Sequence, residues 1–219
     1  KRAQDYAGKH VLVIGSGNSA AEITSRLTEY ASSVTISIRT PPHLLPKSVY
    51  GIPIVGIGIW LRYLPNNLVD MLLSFMQRRM IGDLTAYGLP FPPMSLTKQY
   101  AINNVVPILY GPFVDDIRAG RIKIVGSIQK ISGPTVHALR AVGITQDDDS
   151  TTIALEPDVI VAGTGFRTGI SELVQIPNIT DEKGRSKISG DQELEEAPRL
   201  YFIGQINPLS GQLREIRVE

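Results

Sequence analysis

Short apolar runs and one helical pattern alternate along the first part of the chain. Residues 10–14 read His-Val-Leu-Val-Ile, a run typical of a strand that is buried on both faces, and residues 33–38 form a second apolar-rich run. Between these runs apolar residues recur at helical spacing, at Ala20, Ile23, Leu27, Tyr30 and Ala31. The pattern predicts a strand–helix–strand unit whose short connections fit a right-handed parallel crossover.

The rest of the chain predicts more strands around an irregular middle. Residues 41–66 and 82–112 are punctuated by Pro and Gly and are predicted to be irregular, whereas 67–81 predict a helix that starts near an Asn cap. The other predicted elements are a short helix over 115–120, strands over 122–125, 127–131, 157–162 and 201–204, an antiparallel excursion over 135–156, and a helix from 213. Together they predict an α/β fold, doubly wound and Rossmann-type, with a mostly parallel sheet and a small antiparallel excursion.

Composition excludes several classes of protein. The 219 residues include 22 Lys and Arg and 21 Asp and Glu, so a net charge of +1 gives no electrostatic reason to expect nucleic acid or an anionic membrane surface. The chain has no Cys, which excludes a disulfide scaffold, thiolate metal sites and a cysteine nucleophile. The longest apolar run, 51–61, is shorter than the about 18 residues that span a bilayer, and the N-terminus does not look like a signal peptide. We expect a cytoplasmic globular protein with no transmembrane segment.

The glycine-rich turn after the first strand is the clearest candidate site. Gly15 permits a tight bend, Gly17 lets the backbone approach a pyrophosphate, and Ala20 is small enough for helix and strand to pack closely. The amides of Asn18, Ser19 and Ala20 begin a helix whose N-terminus attracts phosphate. A G-x-G-x-x-A string also fits an ordinary tight turn, but its position between a strand and a helix favours dinucleotide binding.

The end of the second strand indicates which dinucleotide binds. An acidic residue there would accept a hydrogen bond from the ribose 2′-hydroxyl of NAD or FAD, whereas an Arg accommodates a 2′-phosphate. This chain has Arg39 followed by Thr40, with no carboxylate nearby. The site is therefore predicted to prefer NADPH, although Arg39 would also fit an ordinary solvated cation at a strand end.

Segments distributed over most of the chain resemble a known family. The turn at 15–23 resembles the NADPH-binding turn of class B flavin-dependent monooxygenases, the flavin-containing monooxygenases. Further segments resemble the plant YUCCA-type, auxin-forming members, in the same order along the chain: 60–65, 69–70, 81–84, 87–90, 107–111 and 117–125. Residues 161–168 are similar to the family's Ala-Thr-Gly-Tyr segment, and 201–208 to the stretch that passes the flavin.

The resemblance implies an enzyme that uses FAD, NADPH and dioxygen to oxygenate a small organic substrate. The implied NADPH contacts are Gly15, Gly17, Asn18, Ser19, Ala20, Arg39 and Thr40. The implied contacts to the flavin or its linker are Thr164, Gly165, Gly204 and Gln205. Because the cofactor carries the chemistry, no catalytic triad is expected and no catalytic residue is assigned.

The sequence departs from the family pattern in ways that suggest a domain division. The family's first G-x-G-x-x-G turn, which holds the ADP half of FAD, and its identifying segment with a central His are missing. Gly163 also interrupts the usual Ala-Thr-Gly spelling. We interpret 1–160 as an NADP(H)-binding Rossmann-type domain with an irregular helical insertion over 41–112, and 161–219 as the C-terminal remnant of an FAD-binding domain. The N-terminal FAD half would then belong to a longer parent chain, and a homodimer is possible.

Two other functions fit the same residues. One is a two-dinucleotide reductase that reduces flavin without oxygenation, and the other is a non-catalytic module that senses NADP(H) or docks on a flavoprotein partner.

Other conspicuous residues have plainer interpretations. The three histidines, His10, His43 and His137, lack metal-ligand spacing, so no metal site is predicted, and 147–149 fit a solvated hairpin tip better than a cation site. Trp60, Tyr63 and an apolar stripe of Met71, Phe75 and Met76 fit the lining of a substrate channel, but core packing of a helix explains the stripe equally well. Residues 41–66 would fit a contact with a membrane, a partner or the missing domain.

Overall fold

The computed structural model describes residues 2–61, 63–141, 151–166, 168–182 and 184–205, and these contain eleven strands and six α-helices. The strands are β1 (His10–Ile14), β2 (Ser33–Ser37), β3 (Leu44–Pro46), β4 (Ser48–Val49), β5 (Ile52–Pro53), β6 (Ile108–Tyr110), β7 (Ile122–Val125), β8 (Ile128–Ser132), β9 (Thr135–Leu139), β10 (Thr152–Leu155) and β11 (Val159–Ala162). The helices are α1 (Asn18–Leu27), α2 (Ile54–Leu61), α3 (Asn66–Met80), α4 (Leu96–Asn103), α5 (Pro112–Arg118) and α6 (Ile170–Leu173), and short 3₁₀ helices cover Ala3–Tyr6 and Thr85–Tyr87.

The main sheet has four parallel strands in the order β7-β2-β1-β11. Numbered by their appearance in the chain, the strands of this sheet run 3-2-1-4, which is the order of one half of a Rossmann fold. Strands β8, β9 and β10 form a separate antiparallel sheet, in which β9 and β10 correspond to the excursion predicted over 135–156 and β8 to the strand predicted over 127–131. The predicted fold class is confirmed.

One face of the main sheet is covered by helices α1 and α5. Alternate residues of the strands point to this face, as the two-residue period of a strand requires. The buried cluster includes Val11, Val13, Val34, Ile36, Ile122 and Ile124 from the sheet, Ala20, Ala21 and Leu27 from α1, and Phe113, Val114 and Ile117 from α5. Burial of each large apolar side chain contributes about 1.5–3 kcal/mol, so this cluster fixes α1 against the carboxyl end of β1.

The buried face of α1 differs from the predicted one. The helix ends at Leu27, so Tyr30 and Ala31 lie outside it, and Ile23 is 37% exposed. Small residues allow the helix to approach the sheet closely, and Thr24 is tolerated in the contact because its hydroxyl donates to the Ala20 carbonyl at 2.6 Å. The apolar pattern therefore found the helix but misplaced its end.

The insertion over 41–112 is more ordered than predicted. Strand β3 pairs in parallel with β6, β4 and β5 form a small antiparallel pair, and three helices lie between β5 and β6. Leu45, Ile54 and Leu96 form a second buried cluster there. Pro and Gly obscure the apolar period of these segments. The pairing of β3 with β6 joins residues that are distant in sequence, whereas β4 and β5 pair locally but, at two residues each, are too short to show a strand period.

Several predicted boundaries need correction. Helix α3 begins at Asn66 after Pro65, which makes no side-chain cap, so the predicted Asn cap is wrong. Helix α5 begins at Pro112 rather than at 115 because proline is favoured in the first turn of a helix.

The predicted strand over 201–204 is absent from the described structure. Its apolar side chains are largely exposed, with Tyr201 at 48% and Ile203 at 61%. The Phe202 carbonyl accepts a backbone hydrogen bond from the Gly190 amide at 2.9 Å, but within the described residues no strand pairs with this segment. The predicted helix from 213 and the acidic tip at 147–149 lie outside the described residues.

Among the described residues, no helix combines the length and hydropathy that crossing a bilayer requires.

Candidate nucleotide site

Most of the predicted site residues lie at one edge of the main sheet. The glycine turn follows β1, Arg39 and Thr40 follow β2, and Thr164 and Gly165 follow β11. Because all these strands are parallel, their carboxyl ends share an edge. In open α/β sheets ligands bind at this edge where the strand order reverses, which here is between β1 and β11.

Backbone hydrogen bonds tie these strand ends together. The Gly15 amide donates to the Ser37 carbonyl at 3.1 Å, and the Gly163 amide donates to the Ile14 carbonyl at 2.8 Å. The turn after β1 is therefore held between the ends of β2 and β11, and its position does not depend on the glycines alone.

Three small residues meet where β1, α1 and β11 converge. Gly15 has φ +148°, and a Cβ placed on it would lie 2.8 Å from the carbonyl carbon of Gly163 and 3.2 Å from the Ala20 Cβ. A Cβ on Gly163 would lie 3.0 Å from the Ala20 Cβ. We call Gly15, Ala20 and Gly163 the small-residue contact. This contact accounts for the glycine that interrupts the family's Ala-Thr-Gly motif, because a side chain at position 163 would come too close to helix α1.

Gly163 was missed as a site residue in the sequence analysis. Its only local signal is the extra glycine that directly follows the apolar strand β11 and precedes Thr164 and Gly165. That signal does not reveal a contact with a helix near the other end of the chain.

Gly17 has a different environment from Gly15. It precedes helix α1 with φ −102°, and a Cβ placed on it would meet nothing within 4 Å. No side chain caps this end of α1, so the amides of its first turn have no side-chain acceptor. The space in front of the helix N-terminus is therefore open to an anion, as the sequence predicts for a pyrophosphate.

The side chain of Asn18 is engaged within the protein. Its Nδ2 donates to the Pro107 carbonyl at 3.0 Å, and its Oδ1 accepts from the Leu109 amide at 2.8 Å. Only the backbone amide of Asn18 is left for a ligand. Ser19, the next residue, is exposed.

Arg39 and Thr40 are both exposed at the end of β2. Among the described residues, neither side chain takes part in an ion pair or a hydrogen bond. The guanidinium of Arg39 fits both earlier interpretations, a cation that meets a 2′-phosphate and a solvated strand end.

The residues predicted near the flavin are split between two places. Thr164 and Gly165 are exposed beside the small-residue contact, and Gly165 has φ +88°. Gly204 and Gln205 come shortly after Phe202, whose carbonyl accepts from the Gly190 amide at 2.9 Å. They follow that loop segment rather than a strand of the main sheet.

The most deeply buried histidine lies in the insertion. His43 is 9% exposed, and its Nε2 donates to the Met94 carbonyl at 2.9 Å. Burial lowers the pKa of His43, although the Met94 carbonyl, Gln77 and Asp70 act in the opposite direction. Within the described ranges, no three His, Asp or Glu residues are arranged to hold a metal ion.

Asp70 links helices α3 and α4. Burial raises its pKa, but hydrogen bonds from the Thr97 hydroxyl at 2.5 Å and the Thr97 amide at 3.0 Å, with a further bond from Ser95, outweigh burial and hold the pKa below its ordinary value. His43 is thus buried within the insertion, and Asp70 is a half-buried link between two of its helices.

Much of the predicted apolar stripe faces outward. Trp60, Tyr63, Met71 and Phe75 are 76%, 70%, 60% and 68% exposed, and we call them the insertion patch. Met76 alone packs against the second cluster. The core-packing interpretation of the stripe is therefore wrong for Met71 and Phe75.

The sequence matches the family model described as flavin-binding monooxygenase-like over residues 1–171. It is 27% identical over 206 residues to the rice (Oryza sativa subsp. japonica) indole-3-pyruvate monooxygenase YUCCA1, covering 93% of this chain and 48% of the relative. It is 33% identical over 172 residues to a probable indole-3-pyruvate monooxygenase of Arabidopsis thaliana, YUCCA10, covering 78% of this chain and 41% of the relative. The chain thus spans about half the length of the curated relatives it matches.

Solved structures share the fold at low sequence identity. A mutant flavin monooxygenase from Stenotrophomonas maltophilia has a TM-score of 0.52 and 18% identity, covering 99% of this chain and 50% of that protein. A bacillithiol disulfide reductase from Bacillus cereus has a TM-score of 0.51 and 16% identity, with the same coverage. Identities this low show the fold alone, whereas the match to the family model extends from the glycine turn past β11. The chain belongs to the flavin-binding monooxygenase-like family.

Proposed function

We propose that this chain is the NADPH-binding portion of a flavin-dependent monooxygenase that oxygenates a small organic substrate. The observation that carries the proposal is the small-residue contact beneath an uncapped helix N-terminus, at the edge where the strand order reverses. When bound, NADPH would supply reducing equivalents and FAD the reactivity toward dioxygen, while the glycine turn, the first-turn amides of α1 and Arg39 would hold the NADPH.

The residues present fit an NADPH molecule. The open space at Gly17 admits a pyrophosphate to the first-turn amides of α1, where the helix dipole favours negative charge. Arg39 extends from the neighbouring strand end with no carboxylate adjacent in sequence, which suits a 2′-phosphate. In this proposal the chain orients the nucleotide and binds its phosphates.

The described residues supply only part of an FAD site. Thr164, Gly165, Gly204 and Gln205 would contact the flavin or its linker, but the sequence has no second G-x-G-x-x-G turn for the ADP half. We therefore propose the division made from the sequence, with an NADP(H) domain over 1–160 and part of an FAD domain over 161–219. The missing half would come from the parent chain.

Exposed apolar side chains in the second segment support this division. Phe166 is 101% exposed, Leu173 is 82% exposed, and Tyr201 and Ile203 also face outward. Large apolar side chains exposed to this degree are typical of a surface that another part of the protein covers. The same cover would offer the segment 201–204 a strand with which to pair.

The relatives suggest the first substrate to test. The plant proteins are named for indole-3-pyruvate, an aromatic 2-oxo acid, so we propose this class of compound. Product analysis under oxygen, with the complete parent chain, separates this activity from flavin reduction alone, which would yield no oxygenated product. A cytoplasmic location and a homodimer complete the proposal, and fractionation and gel filtration would test them.

A nucleotide titration tests the core of the proposal. NADPH and NADH are titrated separately into the purified chain, with nucleotide fluorescence as the readout, for the wild type, Arg39→Ala and Arg26→Ala. Arg26 is a suitable control because it is an exposed Arg at the far end of α1. We expect NADPH to bind at least about tenfold more tightly than NADH, a difference of about 1.4 kcal/mol, and only Arg39→Ala to abolish this preference.

Two results would contradict the proposal. Equal affinity for both nucleotides would remove the role of Arg39 in recognising the 2′-phosphate. If neither NADPH nor NADH bound, the glycine turn would be structural in this chain.

A further inference from the structure

The carboxamide of Asn18 takes the place of a neighbouring strand beside β6. In an extended strand, the N–H and C=O of one residue point to the same edge, and those of the next residue point to the opposite edge. The Ile108 amide points to one edge and donates to the His43 carbonyl at 2.8 Å, next to β3. The Pro107 carbonyl and the Leu109 amide point to the other edge, where they bond to Nδ2 and Oδ1 of Asn18.

These two hydrogen bonds connect the candidate nucleotide site with the insertion. Asn18 is the first residue of α1 and directly follows Gly17, whereas its partners lie 89 and 91 residues further along the chain. Pro107 and Ile108 are buried, so this part of β6 is firmly embedded. The end of α1 that faces the open space is thus attached to a fixed strand.

We propose that Asn18 is a positioning residue for the nucleotide, and that the insertion takes part in the nucleotide site through it. This inference rests on the proposed function. The turn before α1 contains two glycines within three residues, and glycine has more backbone freedom to lose than any other residue. The bonds from β6 hold the first turn of the helix so that its amides converge on the phosphates before the nucleotide arrives, which lowers the entropic cost of binding.

The chemistry of the contact calls for an amide of this length. One atom must donate to a carbonyl and another must accept from an N–H, and a carboxamide does both. An Asp side chain, when ionised, only accepts, so it would oppose the Pro107 carbonyl. An Ala side chain would leave the Pro107 carbonyl and the Leu109 amide without these bonds.

The test compares Asn18→Ala with Arg39→Ala and with the control Asn103→Ala, which changes an exposed Asn at the end of α4. NADPH and NADH are titrated against each variant, at a temperature well below the melting transition of that variant. Asn18→Ala should weaken both nucleotides by the same factor, about tenfold, because both share the pyrophosphate. Arg39→Ala should weaken NADPH alone, and Asn103→Ala should weaken neither nucleotide.

Amide hydrogen exchange without nucleotide provides a readout that does not depend on binding. Exchange at residues 19–21 should be faster in Asn18→Ala than in the wild type and unchanged in Asn103→Ala. Unchanged exchange, unchanged affinities, or a loss confined to NADPH would each overturn the role of Asn18. If the wild type binds neither nucleotide, the proposed function itself fails, whereas wild-type binding that Asn18→Ala retains in full refutes only this inference.

Discussion

Replacing Gly163 by Ala should destabilise the fold, because a methyl group there meets a packed helix. The new Cβ would lie 3.0 Å from the Ala20 Cβ, 3.3 Å from the Ala20 Cα and 3.4 Å from the Ile14 carbonyl oxygen. Unstrained carbon–carbon contacts are about 3.5–4.0 Å, so the neighbours would have to move by several tenths of an ångström. Ala20 is fully buried at the start of α1, where the bonds of Asn18 oppose such a movement.

The expected cost is about 1 kcal/mol. Overpacking a well-filled interior costs about 1–3 kcal/mol, and the small displacement needed here favours the lower half of that range. Replacing glycine by alanine also restricts the unfolded chain, which returns about 0.4–1 kcal/mol. The net loss should appear in urea unfolding as a lower midpoint with an unchanged slope.

A double-mutant cycle identifies the cause of the loss. Ala20→Gly removes the methyl group that the new side chain would touch, at its own cost of about 1 kcal/mol for glycine in a helix. In the presence of Ala20→Gly, Gly163→Ala should cost about 1 kcal/mol less than it does alone. Strict additivity, or a Gly163→Ala variant as stable as the wild type, would refute the tight small-residue contact.

Three further results are expected. Gly17→Ala should leave the free energy of unfolding within about 0.5 kcal/mol of the wild type, because the new methyl group meets nothing within the protein. The variant should nevertheless bind NADPH at least about tenfold more weakly, because the methyl group occupies the approach to α1. An unchanged Kd in the titration would contradict a pyrophosphate at this position. The pKa of His43 is lowered in the folded state, so as the pH falls the histidine of the unfolded chain is protonated first. The free energy of unfolding of the wild type should therefore fall as the pH drops below about 6.5, and that of His43→Gln should fall less steeply. Equal pH profiles of the two proteins in urea unfolding would contradict this. Arg121→Ala should lower the free energy of unfolding by about 1–2 kcal/mol, because the buried Asp116 carboxylate loses a partner at 2.5 Å. Lys47→Ala removes an exposed ion pair and should lower it by less than about 0.5 kcal/mol in the same assay. Similar losses for the two variants would mean that burial of Asp116 is unimportant.

The strand–turn–helix unit could be predicted because each of its signals is local. The apolar run at 10–14 specifies a buried strand, and Gly15 and Gly17 mark the turn that follows it. The insertion gives no such signal, since β3 finds its partner β6 beyond three helices. That pairing is a tertiary feature, and a single sequence does not show which distant segments will pair; β4 and β5 pair locally, but two residues each give no strand pattern.

Two residues show how far local interpretation reaches at the site. The sequence assigned Asn18 to the phosphate-binding turn through its amide, but the partners of its side chain are 89 and 91 residues away. From the sequence, Gly163 was identified only as an interruption of the family's Ala-Thr-Gly motif. Its close contact with Ala20 shows that glycine is the residue that fits there. In both cases the local pattern located the residue, and only the fold revealed its contacts.

The insertion patch contains an intrinsic fluorescent probe, Trp60. Trp60 is the single tryptophan in the sequence, and its indole is mostly in contact with water. Tryptophan fluorescence of this protein therefore arises from one known position, and water-soluble quenchers should reach that position freely. Whatever covers the patch, whether a further part of the parent protein or a second copy, would shift that emission to shorter wavelength and protect it from quenching, without any attached label.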